Sequence, residues 1–102
     1  MFGRVAVAGH SMAPALRDGD WVIVVPLVRP PRVGEIVIAR DPRSPERLVL
    51  KRVAGVKDDT CTLLGDRPEA STDSRTFGPV ARSLIIGRAV FRYVPLARAG
   101  FL

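Results

Sequence analysis

Cysteine, histidine and lysine are nearly missing from this sequence of 102 residues. Cys61 is the only cysteine, so no disulfide can close within the chain and the redox compartment stays open. It lies in the β-like run Thr60-Cys61-Thr62-Leu63-Leu64 and reads as a small core residue. His10 is the only histidine; one cysteine and one histidine argue against a His/Cys metal site, and neither a metal nor a cofactor is expected. Long apolar runs are lacking too. The most apolar stretch, residues 21–28, contains Pro26 and falls far short of the ~20 residues that span a bilayer. The first ten residues have neither the basic start nor the apolar centre of a secretory signal. The expectation is a soluble chain, in contact with a membrane at most peripherally.

Acidic residues are outnumbered, ten against sixteen, for a formal net charge of +6. Lys51 and Lys57 are the only lysines, and every other basic residue is arginine. Nucleic acid is the first partner such a balance suggests. The arginines are scattered from Arg4 to Arg98 without a run of like charge, and aromatics make up only 6% of the chain, so no nucleic-acid interface is expected and a merely solvated basic surface is the favoured reading. Attraction to an anionic membrane surface or an acidic substrate is the second reading. Hydrophobic residues at 47% and charged residues at 25% are a globular balance, and the length leaves room for one domain, residues 1–102.

What is present is a succession of short β-branched runs cut by Gly, Pro and Asp. Residues 5–8, 21–25, 35–39, 48–53, 60–64 and 84–93 read as strands. Turn formers connect them at 17–20, 29–34, 41–45 and 57–59. Residues 12–16 allow one helical turn, with Ser11 as its cap and Pro14 keeping it short. The fold class is therefore mainly β, a small curled sheet or partly open barrel with at most one short helical turn.

Chemistry concentrates in three segments. In Gly9-His10-Ser11-Met12-Ala13-Pro14-Ala15-Leu16, a serine follows a strand beside a glycine, where its hydroxyl can be exposed and its own N–H offered to a developing oxyanion. A serine hydroxyl needs a base. His10 is adjacent in sequence, and neighbours on an extended segment point opposite ways, so a surface histidine is the better reading. In Leu48-Val49-Leu50-Lys51-Arg52-Val53, alternation puts Lys51 on one face with Val49 and Val53. Desolvation there lowers a lysine's pKa toward that of a useful base, although a lysine at this point can equally snorkel to the sheet edge. The third segment, residues 65–80, is dense in short polar side chains. Ser71 or Ser74 could hold the lysine amine, and Asp73 and Arg75 could pair to brace the loop.

Together these segments resemble the conserved boxes of the type I signal peptidase family: Gly-x-Ser-Met-x-Pro-x-Leu-x-x-Gly-Asp from Gly9 to Asp20, Leu-Val-Leu-Lys-Arg-Val, and Gly-Asp…Ser-x-Asp-Ser-Arg-x-Phe-Gly-Pro-Val. The resemblance implies a serine endopeptidase with a Ser–Lys dyad on a mainly β fold. Ser11 then matches the nucleophile, Lys51 the general base and Ser71 the hydroxyl that orients the lysine. Asp73 and Arg75 match the loop-bracing pair, and Met12 and Pro14 match residues that shape the site. Gly9 stands where some relatives carry a serine that helps the oxyanion hole, a donor worth roughly 3 kcal/mol in comparable sites. The family's membrane anchor, its second β domain and the Pro-Gly-Asp after the lysine box are not found; Gly55-Val56-Lys57-Asp58-Asp59 stands in place of the last. What remains is a single catalytic domain.

Such short chains are most similar to the nickel-type superoxide dismutase maturation peptidases, on the stretch from Ser71 to Val80 and on Gly87 to Tyr93. The resemblance thus implies removal of an N-terminal extension from a protein precursor bound in extended form, the precursor being a nickel superoxide dismutase proenzyme. It also implies a bacterial cytoplasmic location, with membrane association as the alternative. Rival readings are a general signal peptidase without its anchor, a LexA-like self-cleaving domain and an inactive β binding module.

Overall fold

The computed structural model describes residues 3–102. Eight strands form one sheet: β1 (Gly3–Ala6), β2 (Trp21–Pro26), β3 (Ile36–Asp41), β4 (Ser44–Lys57), β5 (Thr60–Leu64), β6 (Val80–Ala81), β7 (Ile85–Val94) and β8 (Gly100–Phe101). The spatial order is β1-β2-β7-β3-β4-β5-β6, with β8 paired to β7, and every pairing is antiparallel. The sheet is open, with β1 at one edge and β6 at the other. A mainly β fold is what the sequence predicted, and no helix among the described residues is long and apolar enough to cross a membrane.

Both faces of the sheet carry core, which explains the β-branched composition of its centre. Alternation along β3 sends Val37 and Ala39 into one cluster with Val53, Leu63 and Val80, and Ile36 into another with Met12, Leu16, Val22 and Ala89. Cys61 lies in the first cluster. Burial pushes its thiol pKa up, and it is a packing residue.

Three local expectations change. Residues 7–8 leave the first strand, because Val7 turns to exchange backbone hydrogen bonds with Gly19 and Asp20. Residues 12–16 form turns without a helix: the Leu16 N–H donates to the Met12 carbonyl at 2.9 Å, and the Ser11 hydroxyl that was to cap them is engaged elsewhere. Among the described residues the one α-helical turn is α1 (Ser74–Phe77), capped by the Asp73 side chain, with lone 3-10 turns at Pro68–Ala70, Arg82–Leu84 and Leu96–Arg98. The segments 41–45 and 57–59 shrink to tight hairpin turns, so β4 runs much further than residues 48–53. Asp58, with φ of 52°, takes the left-handed conformation such a turn requires.

Candidate active site

The loop from residue 7 to residue 20 carries Ser11 and is tied at its base by two backbone bonds, Val7 N–H to the Asp20 carbonyl at 2.7 Å and Gly19 N–H to the Val7 carbonyl at 2.8 Å. Gly9 sits at φ 85°, where a side chain would be strained, and its N–H donates to Asp18 Oδ1 at 2.8 Å. Met12 and Leu16, 2% and 0% exposed, pin the loop into the second core cluster, each worth about 1.5–3 kcal/mol of apolar burial. Pro14 is exposed on the turn. The far half of the loop is clamped by arginines. Buried Asp20 accepts from Arg98 Nη1 at 3.0 Å, and Arg92 Nη1 donates to the Ala15 carbonyl at 2.5 Å. The Ser11 carbonyl accepts from the Arg67 N–H at 2.8 Å.

Lys51 reaches this loop from β4. Its register partner is Val37, and it shares a face with Val49 and Val53 of the first cluster, so it comes from one core while the serine's loop is anchored in the other. Lys51 is 5% exposed and its Nζ donates to Ser11 Oγ at 2.9 Å. Burial lowers its pKa. Asp73 opposes that shift, Arg47 and Arg75 add to it, and Asp41 weakly opposes it. The amine is held close to the hydroxyl with little water to stabilise its charge.

Behind the lysine lies a buried carboxylate. Burial alone would raise the pKa of Asp73, but the Arg75 guanidinium, the Gly65 and Arg75 N–H groups and the Ser71 hydroxyl outweigh it and hold the carboxyl well below its ordinary range. Arg75 forks onto it, Nε to Oδ1 at 3.0 Å and Nη2 to Oδ2 at 2.5 Å. The Ser71 hydroxyl donates to Asp73 Oδ2 at 2.7 Å, whereas the hydrogen bond of the Lys51 amine goes to Ser11. Ser74, the other candidate for the lysine, accepts from the Leu63 N–H at 2.9 Å.

A groove of about 480 Å³ opens in front of Ser11 and Lys51. Residues 5–12 line one side and residues 47–51 of β4 another, with Ile38, Asp41 and Arg43 also lining it. His10 is exposed on its rim and makes no hydrogen bond to Ser11 among the described residues. Two features escaped the sequence reading. Gly65 packs so tightly that a Cβ there would meet Ser71 Oγ at 2.2 Å and the Ser11 carbonyl at 2.8 Å. The Asp20–Arg92–Arg98 clamp joins positions nearly eighty residues apart, and nothing in a scattered arginine pattern marks the two that are half-buried against it.

A hydroxyl within hydrogen-bond reach of a desolvated amine is suited to nucleophilic chemistry. The sequence matches the family described as signal peptidase, peptidase S26, over residues 1–62 and again over 56–94. The chain belongs to that family. Among the relatives of this peptidase S26 chain is the human mitochondrial inner membrane protease subunit 1, 34% identical over 98% of this chain and 74% of the relative. The Arabidopsis thaliana mitochondrial ATP-independent inner membrane protease subunit 1a is 36% identical over 87% of this chain and 68% of its own length. The Schizosaccharomyces pombe mitochondrial inner membrane protease subunit 2 is 30% identical, covering 92% and 66% respectively.

These names overturn the expectation of a bacterial cytoplasmic enzyme, since the relatives are proteases of a mitochondrial membrane. Hydropathy registers only segments that cross a bilayer, so the shortage of apolar runs said nothing about the surface at which a peptidase S26 chain works. None of the three relatives is named as a superoxide dismutase maturation peptidase.

Proposed function

We propose that this peptidase S26 chain is a serine endopeptidase that removes an N-terminal extension from a protein precursor, with Ser11 as nucleophile and Lys51 as general base. The observation that carries this reading is the 2.9 Å contact between Lys51 Nζ and Ser11 Oγ, made by a lysine whose pKa burial has lowered. In its neutral form the amine takes the hydroxyl proton as Oγ attacks the scissile carbonyl carbon. The resulting ammonium gives that proton to the departing amine, leaving an ester on Ser11. Water, deprotonated by the same amine, then hydrolyses the ester and restores the serine.

The Ser11 N–H has no acceptor among the described residues and lies beside Oγ, so it is the natural donor to the oxyanion. Gly9 leaves that hole to backbone groups. Asp73, braced by Arg75 and Ser71, keeps a negative charge near the lysine and stabilises the ammonium formed in each half-reaction. The groove accepts the substrate as an extended strand.

The names of the relatives favour a precursor presented at a membrane surface. A nickel superoxide dismutase proenzyme is the second candidate, supported by the resemblance of residues 71–80 and 87–93. Incubating the protein with each precursor, and reading the new N-terminus by mass spectrometry, tests both. Cleavage of either at one peptide bond by the native protein, and by no Ser11→Ala sample, is expected. Equal cleavage by the Ser11→Ala variant overturns the mechanism, while preference for one precursor decides the substrate.

A further inference from the structure

The groove in front of Ser11 is electrically lopsided. Four charged side chains line it: Asp41, Arg43, Arg47 and Lys51. Asp41, 2% exposed, is engaged by Arg43, whose Nη2 and Nε donate to its carboxylate at 3.0 and 3.2 Å, and the Arg43 guanidinium also lies 5.3 Å from the centre of the Phe77 ring. That pair cancels. Lys51 is given to Ser11. Arg47 alone has no partner in contact: among the described residues its guanidinium makes no ion pair and no hydrogen bond, Asp41 feels it only through space, and its side chain is exposed.

The register of β4 against β3 jumps from Arg40–Leu48 to Asp41–Ser44, which leaves residues 45–47 bulged out of the ladder at the groove. Arg47 stands there, four residues from the lysine, at most ~13 Å along an extended chain. A substrate strand that places its scissile carbonyl at Ser11 and runs along β4 covers that distance in about four residues of its own. A lone guanidinium at that range, in a chain of net charge +6, matches a carboxylate.

The geometry points to Arg47 as a specificity-determining residue that recognises an aspartate or glutamate about four residues from the scissile bond. This rests on the reading of Ser11 and Lys51 as the catalytic pair. It extends that reading by naming the substrate class the groove selects: extended segments with one acidic side chain at fixed range. The interaction is solvent-exposed, so the preference for Asp over Asn is about two- to five-fold in kcat/KM, and it weakens with added salt.

The test uses a defined peptide mixture in which every residue type occurs at every position, with products read by mass spectrometry. Matched Asp and Asn peptides then provide kcat/KM. The native enzyme is expected to enrich acidic residues at one position three to five residues from the cut. Arg47→Gln loses that enrichment, and Arg47→Glu replaces it with Lys and Arg at the same position. Absence of an acidic preference in the native enzyme overturns the inference, as does a preference that persists in Arg47→Glu. A loss in Arg47→Gln that falls equally on Asp and Asn peptides overturns it as well. If the native enzyme and Ser11→Ala cut alike, the catalytic reading has failed, and that result is distinct from a flat acidic profile.

Discussion

Gly65 offers a sharp test of how the site is held together. Adding a single methyl group there places a Cβ 2.2 Å from Ser71 Oγ, 2.5 Å from Ser71 Cβ and 2.8 Å from the Ser11 carbonyl oxygen. Ordinary contact begins near 3.4 Å, so the Ser71 hydroxyl must retreat by about 1.2 Å and the Ser11 carbonyl by about 0.6 Å. Neither has a free path. The hydroxyl is bonded to Asp73, and the carbonyl accepts from the Arg67 N–H. Overpacking of this kind costs about 1–3 kcal/mol, which for a chain of this size lowers Tm by at least ~4 °C.

The larger effect falls on catalysis. Moving the Ser11 main chain by a fraction of an ångström shifts Oγ relative to Lys51 Nζ, and misplacement near 1 Å costs ~10²-fold in rate. Thermal unfolding followed by circular dichroism, and kcat measured well below Tm, read the two effects separately. Gly100→Ala is the control, since a Cβ there meets nothing within 4 Å; it should change neither. A Gly65→Ala protein with native Tm and native kcat refutes the packing argument. Lowered Tm with native kcat shows that Ser71 yields and Ser11 does not.

Ser11→Ala should abolish cleavage while leaving Tm within a few degrees of native, and His10→Ala should retain most activity; comparable losses in the two variants restore the histidine as the base. Lys51→Arg should be inactive despite its charge, because a guanidinium does not release its proton at usable pH, and kcat of the native enzyme should rise with pH through one ionisation below the ~10.4 of free lysine. Because the folded pKa of Lys51 is lowered, the folded state binds fewer protons than the unfolded one between the two pKa values, and a buried ammonium burdens the fold below that window. Lys51→Met should therefore raise Tm at neutral pH, and an unchanged or lower Tm contradicts that account. Asp73 has the opposite sign: its carboxyl is held below the unfolded value of ~3.9, so its contribution is present above that pH and is lost as pH falls further. Arg75→Gln should move the acid-unfolding midpoint upward, and an unmoved midpoint denies Arg75 its bracing role.

The mainly β class was legible because β-branched runs bounded by Gly, Pro and Asp have few other ways to bury themselves. The placement of Lys51 beside Val49 and Val53 was legible for the same reason, since a strand alternates with a period of two whatever its neighbours are. The three motif segments announced which residues to follow, and strand alternation said which way one of them faced. Tertiary structure decided the rest. Whether Lys51 snorkels or turns inward depends on Ser11 reaching it from forty residues away, and whether Ser71 meets the lysine or Asp73 depends on how the loop after Gly65 folds. Asp20, Arg92 and Arg98 look like any other surface charges until β7 and the turn after it are laid against the loop of Ser11. Local sequence carries strand period and turn chemistry, because both act over a few residues. Burial, ion-pair choice and the unpaired guanidinium of Arg47 are properties of groups brought together across the whole chain, and they exist only once the strands have assembled.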